Sequence, residues 1–303
     1  MRDFTGRVAF ITGGASGVGF GQAEVFGRLG CRIAIADVRP EMLERAAGEL
    51  SAAGIEVHPV PLDVRDRGAW TAAVDSVEDR FGDPVTLLFN TAGVNGFGRL
   101  DRATFADFDW IMGVNLGGVI NGIATVLPRM LAAGRGGHIA SVASMAGFQG
   151  SPVAGIYAAS KAAVINLMES YALELPPQGV GVSVVCPASV RSGIAHTLDS
   201  RPDEFAEGSS FTDSPEFVAL QDELYRGGMD PVELAEHLRS AIEHERFWVL
   251  PFTETREGLR EHFDSVLAGY DAYDVDPEAA RERAEALVAY RARAAALRGA
   301  QQG

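Results

Sequence analysis

"VAFITGGASGVGFGQAEVFGRLGCRIAIAD", residues 8–37, decides the fold. The run "VAFI" (8–11) is short and continuously apolar, the pattern of a strand buried on both faces. A turn carrying Gly13, Gly17 and Gly19 follows and opens a stretch of helical spacing over 18–29. A second apolar run, "RIAIA" (32–36), ends at Asp37. Strand, glycine turn, helix and strand in this order predict the first unit of a parallel sheet whose strands are joined by helices.

The alternation continues outward. "IEVHPV" (55–60), "VTLLF" (85–89), "HIASVA" (138–143), "VSVVC" (182–186) and "FWVLPF" (247–252) read as five further strands. Helical spacing covers 41–53, 66–80, 104–133 and 157–175 between them. The expected fold is α/β: a doubly wound, parallel, seven-stranded sheet of Rossmann type in one domain, residues 1–252. Residues 193–229 lack a clean period but hold Phe205, Phe211, Phe217 and Tyr225, so they are expected to form a partly ordered substrate lid. Residues 253–303 read as a helical C-terminal extension, with Leu259, Phe263, Val266, Leu267 and Tyr270 at helical spacing and Asp276–Pro277–Glu278 starting a last helix.

Composition narrows the function. With 26 Lys and Arg against 41 Asp and Glu, the net charge is −15, which disfavours nucleic acid as a partner. Cys31 and Cys186 lie far apart in apolar runs, and the six histidines form no ligand cluster, so no metal and no disulfide framework are expected. No signal peptide is visible, and no apolar run is expected to reach the roughly 18 residues of a membrane span. A cytoplasmic protein with no membrane partner is the expectation.

The glycine turn has a chemical reading. Gly13, Gly17 and Gly19 let backbone approach a diphosphate, and the helix start supplies N–H groups. Asp37 at the tip of the second strand can accept both hydroxyls of a ribose and repels a 2′-phosphate, so NAD is expected over NADP, with Arg39 close by. "YAASK" (157–161) places a phenol and an ammonium one helical turn apart on one face. A nearby positive charge lowers the pKa of a phenol, as a base of that kind requires.

These stretches together resemble the short-chain dehydrogenase/reductase family over about residues 5–250. Thr12 to Gly19, including Ser16 and Val18, match its cofactor loop, and Asp63–Val64 match its adenine-contact pair. "NTAG" (90–93) stands where the family has N-N-A-G, and "CPASVRS" (186–192) where P-G-x-V-x-T is usual, with Ala188 and Ser192 as departures. The resemblance implies cofactor contacts at Asn90, Gly93, Pro187, Val190 and Ser192. It also implies a catalytic set of Asn115, Ser144, Tyr157 and Lys161: Tyr157 the base, Lys161 its electrostatic partner and ribose ligand, Ser144 the holder of the substrate oxygen, Asn115 the keeper of a relay water. "NTAGVNGFG", "FDWIMGVNLGGVINGIATVLPRM" and "REGLREHF" further resemble bacterial aryl-ether dehydrogenases, which oxidise the benzylic alcohol of β-aryl ethers with NAD. An aromatic alcohol is then the expected substrate, a homodimer or homotetramer the expected assembly, and Asn95, Phe97, Phe148 and Gln149 the expected substrate walls. Two rivals remain: a reductase of bulky ketones or 3-oxoacyl thioesters using NAD(P)H, and a non-catalytic dinucleotide sensor. Asp107 and Asp109 beside Trp110 read as a solvated helix start, and His196 as a surface residue of the lid.

Overall fold

The computed structural model describes residues 1–207, 209, 211 and 215–301. They divide into two compact units, Met1–Thr255 and Arg256–Gly303. The first unit alternates strand and helix: β1 (Val8–Thr12), α1 (Gly17–Arg28), β2 (Arg32–Asp37), α2 (Pro40–Ala52), β3 (Val57–Pro61), α3 (Arg67–Phe81), β4 (Val85–Asn90), α4 (Phe105–Met112), α5 (Gly118–Ala133), β5 (Gly137–Val142), α6 (Gly155–Glu174) and β6 (Val180–Val185). The short helices α7 (Asp203–Ala206) and α8 (Pro215–Arg226) precede α9 (Pro231–Glu243) and β7 (Trp248–Val249).

All seven strands are parallel, in the order β3-β2-β1-β4-β5-β6-β7. Apolar side chains on both faces of each strand explain the sandwiching by helices. Phe10 and Leu88 face one layer, where Phe10 stacks on Trp70 of α3 at 5.5 Å. Ile11 and Phe89 face the other, where Phe89 meets Phe26 of α1 at 4.7 Å. Pro59 and Pro61 fit β3 because it is an edge strand, where a missing N–H breaks no ladder. β7 is shorter than its apolar run predicts: only Trp248 and Val249 pair with β6, and Pro251 cannot donate to a ladder.

Strand order reverses at β1/β4, which opens a crevice at the carboxyl ends of these strands. Thr12 holds its rim: its hydroxyl accepts from the backbone N–H of Thr91 (2.9 Å) and Ala92 (3.1 Å).

The long helical pattern over 104–133 is interrupted. α4 passes through one π-helical segment, Gly113–Gly117, before α5, and Asn115 lies in it. Phe105–Ala133 taken whole has the length and mean hydropathy (1.5) of a membrane span, contrary to the expectation that no such run exists. Half of that apolar window is buried inside the protein, as in a core helix of this layered fold.

The second unit contains α10 (Arg256–Ala268) and α11 (Pro277–Gln301). Asp276 Oδ1 accepts from Glu278 N at 3.0 Å, the cap predicted for the last helix. Val266, Leu267 and Tyr270 are exposed.

Candidate active site

The loop after β1 gives the site its floor. Gly13 has φ +66°, and a Cβ on it would lie 2.9 Å from Ala92 Cα; Gly17 has φ +50°, and its Cβ would lie 3.1 Å from Ser192 Cβ. Only glycine suits both backbone and space there. Ser16, the N-cap of α1, makes no side-chain bond to that helix, so the first N–H groups of α1 point toward the crevice with no side-chain cap. This cradle fits a diphosphate. At the next strand end, Asp37 is buried, and Arg39 grips its carboxylate through Nε (2.9 Å) and Nη2 (3.0 Å) while also donating to Ser16 Oγ at 3.0 Å. A ribose diol approaching Asp37 would compete with a half-exposed arginine for it.

The pair carries a prediction. Asp37→Ala is expected to weaken NAD binding by about 10–100-fold, the loss of charge-assisted hydrogen bonds, and to narrow the NAD/NADP preference, since it also frees Arg39 for a 2′-phosphate. Titration of both cofactors against wild type and variant measures it; an unchanged ratio would mean that Asp37 does not face the ribose.

At the end of β3, Asp63 is clamped by Arg65 through Nε and Nη2 (2.6 Å to Oδ2). Burial pushes the Asp63 carboxyl up, but the Arg65 bonds outweigh it and hold it below its ordinary value.

The four residues expected to carry the reaction come from β5, α6 and the helix break. Ser144 follows β5, its hydroxyl accepting from Ala146 N at 3.1 Å. Tyr157 and Lys161 stand one turn apart on α6, with Lys161 Nζ 5.6 Å from the Tyr157 ring centre and donating to Val142 O at 2.8 Å. Burial draws Lys161 down to about 8. Burial raises the Tyr157 phenol above its ordinary value, and a hydrogen bond with Ser144 opposes this. Asn115 spends its amide on neighbours: Oδ1 accepts from Val94 N (2.8 Å), and Nδ2 donates to Val94 O (3.0 Å) and Ser160 Oγ (3.0 Å). The π-helical turn places it there.

One cavity of about 840 Å³ joins these groups, Asn115 excepted. It is lined by Gly13, Ser16, Gly17, Val18, Gly19, Asp37, Asp63, Val64, Gly93, Asn95, Phe97, Ser144, Tyr157, Lys161, Pro187, Val190 and Ser192. The sequence pattern of the family described as short chain dehydrogenase matches residues 7–203. A protein named C alpha-dehydrogenase, from Sphingobium sp. (strain NBRC 103272 / SYK-6), is 49% identical over 290 residues, 96% of this chain and 95% of its own.

The chain belongs to the short-chain dehydrogenase family.

Solved structures agree. The apo form of LigD from Sphingobium sp. strain SYK-6 is 45% identical, with a TM-score of 0.75 over 91% of this chain and 100% of its own. A short chain dehydrogenase/reductase from Burkholderia phymatum in complex with NAD is 34% identical, with a TM-score of 0.83 over 91% of this chain and 99% of its own.

Four residues expected at the site of this short-chain dehydrogenase lie off the cavity wall. Asn90 is buried at the end of β4, donating to Ser141 Oγ at 3.2 Å, and Asn115 is buried. Phe148 and Gln149 are corrections. A 3₁₀ turn over Met145–Phe148 carries the chain away from Ser144, so Phe148 packs near Trp248 (5.8 Å) and Gln149 is exposed.

The segment 193–229 lies mostly beyond the family-matched stretch, and it holds residues that the sequence undervalued. Of its residues, 208, 210 and 212–214 lie outside the described ones. His196 is on the cavity wall, its Nε2 2.9 Å from Asp222 Oδ1, and Tyr225 lines the cavity too. Phe97 meets Phe217 edge to face at 5.0 Å. Arg65 reaches into the segment, 3.3 Å from Glu204 Oε1 and 4.8 Å over the Phe205 ring.

Asp107 is a second correction. It is not solvated but fully buried, the capping-box partner of Thr104, and pairs with Arg201 Nη2 at 2.8 Å. Arg201 also lies 5.2 Å over the Trp110 ring and donates to Ser209 Oγ, which donates to Asp107 at 2.6 Å. Asp109 is exposed as expected. The apolar spacing of α4 gave no sign of this, because the partners lie some hundred residues further along the chain.

Proposed function

We propose that this chain oxidises a secondary benzylic alcohol, one carrying a second ring through a β-aryl ether, to the ketone with NAD. The observation that carries the reading is a single cavity that joins the Gly13–Gly19 cradle and Asp37 to Ser144, Tyr157 and Lys161, with apolar walls from Val94, Phe97 and Trp110. Likeness to a C alpha-dehydrogenase across 96% of the chain supports the substrate class.

Bound in the cradle, with Asp37 at its ribose and Asp63–Val64 at its adenine, oxidised NAD supplies the acceptor of the hydride. Every other task falls to the protein. Ser144 holds the carbinol oxygen by a hydrogen bond. Tyr157 takes the hydroxyl proton as carbon loses its hydride, and Lys161, positively charged and one turn away, stabilises the phenolate. Asn115 is fixed by Val94 and Ser160, which suits it to hold the helix break, where a relay water would rest, against Lys161. The aromatic walls exclude water and fit ring faces. A homodimer or homotetramer is in keeping with the exposed Phe105, Phe108 and Leu173 on α4 and α6.

The test compares kcat/KM for a two-ring β-ether alcohol, its one-ring analogue, 2-butanol and a sugar alcohol, followed at the absorbance of the reduced cofactor. Burial of each ring is worth roughly 1.5–3 kcal/mol, so the two-ring alcohol should lead 2-butanol by at least about 100-fold. Equal efficiency on one-ring and two-ring alcohols would end the aryl-ether reading and leave the dehydrogenase standing. Faster turnover of ketones with NADPH would favour the reductase instead.

A further inference from the structure

We propose that the side-chain amide of Asn95 reads a second hydroxyl of the substrate, distinct from the carbinol that is oxidised; this rests on the aryl-alcohol reading above. Asn95 is only 4% exposed, yet it lines the cavity, and its Oδ1 has no hydrogen-bond partner. A buried amide oxygen left unpaired is costly, and native proteins rarely leave one so without reason. Among the described residues, four others have buried side-chain atoms without a hydrogen-bond partner: Arg32, Thr86, Asn90 and Arg201. None of those four lines this cavity.

The backbone around Asn95 is fixed, so the amide is presented by a rigid support. Val94 is held on both its N–H and its carbonyl by Asn115 (2.8 and 3.0 Å). Asn95 N donates to Thr197 Oγ1 at 2.8 Å, and Thr197 Oγ1 donates back to Asn95 O at 2.8 Å. The loop also runs beside the reacting groups: a Cβ on Gly93 would lie 3.4 Å from Lys161 Nζ. Asn95 and Tyr157 line the same cavity, so a ligand bound against Tyr157 shares it with this residue.

Chemistry selects what that acceptor takes. An ether oxygen, a methoxy group or a ketone has no proton to give. A free hydroxyl does. The substrate class is thus narrowed to aryl carbinols with a further free hydroxyl, either on the side chain beside the carbinol or as a phenol on the ring.

Two matched pairs of β-aryl ether alcohols distinguish these sources. One pair carries CH2OH or CH3 beside the carbinol; the other carries a phenol or its methyl ether. Wild type should prefer the free-hydroxyl member of one pair by about 10–100-fold in kcat/KM, the cost of leaving a buried acceptor unpaired. Asn95→Leu, close in size but unable to accept, should bring that ratio near one, while Asn95→Asp, which keeps the acceptor, should retain it. NAD affinity of each variant reports that it is folded. Wild-type ratios near one in both pairs overturn the proposal, even if no variant folds, and so does a preference that survives in Asn95→Leu. Rejection of all four β-ethers alongside oxidation of a simple secondary alcohol would overturn the β-ether reading and this proposal with it.

Discussion

Tyr157→Phe is expected to lower turnover by on the order of 10²–10⁴-fold while leaving NAD affinity close to wild type. The substitution removes one hydroxyl and keeps the ring. In the free protein the phenol holds its proton firmly: burial raises its pKa, the Ser144 bond opposes this, and Tyr225 and Cys186 add to the rise. Lys161 keeps its charge up to about pH 8 in the same state. A phenolate at neutral pH therefore needs the positive charge of oxidised nicotinamide in addition to Lys161. Oxidation requires the deprotonated phenol, so wild-type kcat/KM should rise with pH and bend over as Lys161 loses its charge. The Phe variant should lack the rise. A variant that kept most of its rate, or the same pH profile, would show that Tyr157 is not the base.

Arg201→Leu should release the 193–229 segment from α4. The Arg201 side chain is 5% exposed and that of Asp107 fully buried, so the variant leaves a carboxylate in the interior without its cation. Severing a buried pair costs about 3–5 kcal/mol, here nearer the lower figure because Thr104 and Ser209 still donate. The expected result is a KM for the alcohol at least about 10-fold higher, with NAD affinity little changed, and faster amide exchange across 193–229. pH gives an independent check. Burial raises the Asp107 carboxyl, but donors from Ser209, Thr104 and Arg201 outweigh it and hold the carboxyl below its ordinary value. Its ionised form therefore stabilises wild type above the ordinary carboxylate range, and that contribution is lost as pH falls through the lowered folded value. With Arg201 gone the carboxyl moves upward, so the gap in melting temperature between variant and wild type should shrink on acidification. Unchanged KM and unchanged exchange would mean that the pair does not anchor the segment.

The sequence by itself determined the parallel strand–helix alternation, and it marked out the glycine cradle, Asp37 and the Tyr157–Lys161 pair as candidates. Each rests on a local pattern: an apolar run, a turn that needs glycine, a spacing of one helical turn. What tertiary structure alone decided are the contacts between segments distant in the chain. Asp107 read as solvated because its own helix offers no cation, and its partner Arg201 lies in a segment with no period. Phe148 and Gln149 read as walls because they follow Ser144, but a 3₁₀ turn swings them off the cavity. Asn95 stands in a motif-bearing loop, yet only the folded chain shows that Asn115 and Thr197 hold that loop's backbone and that the Asn95 Oδ1 is buried without a hydrogen-bond partner. Burial and partnering depend on what the rest of the chain brings alongside, and residue spacing carries no record of that.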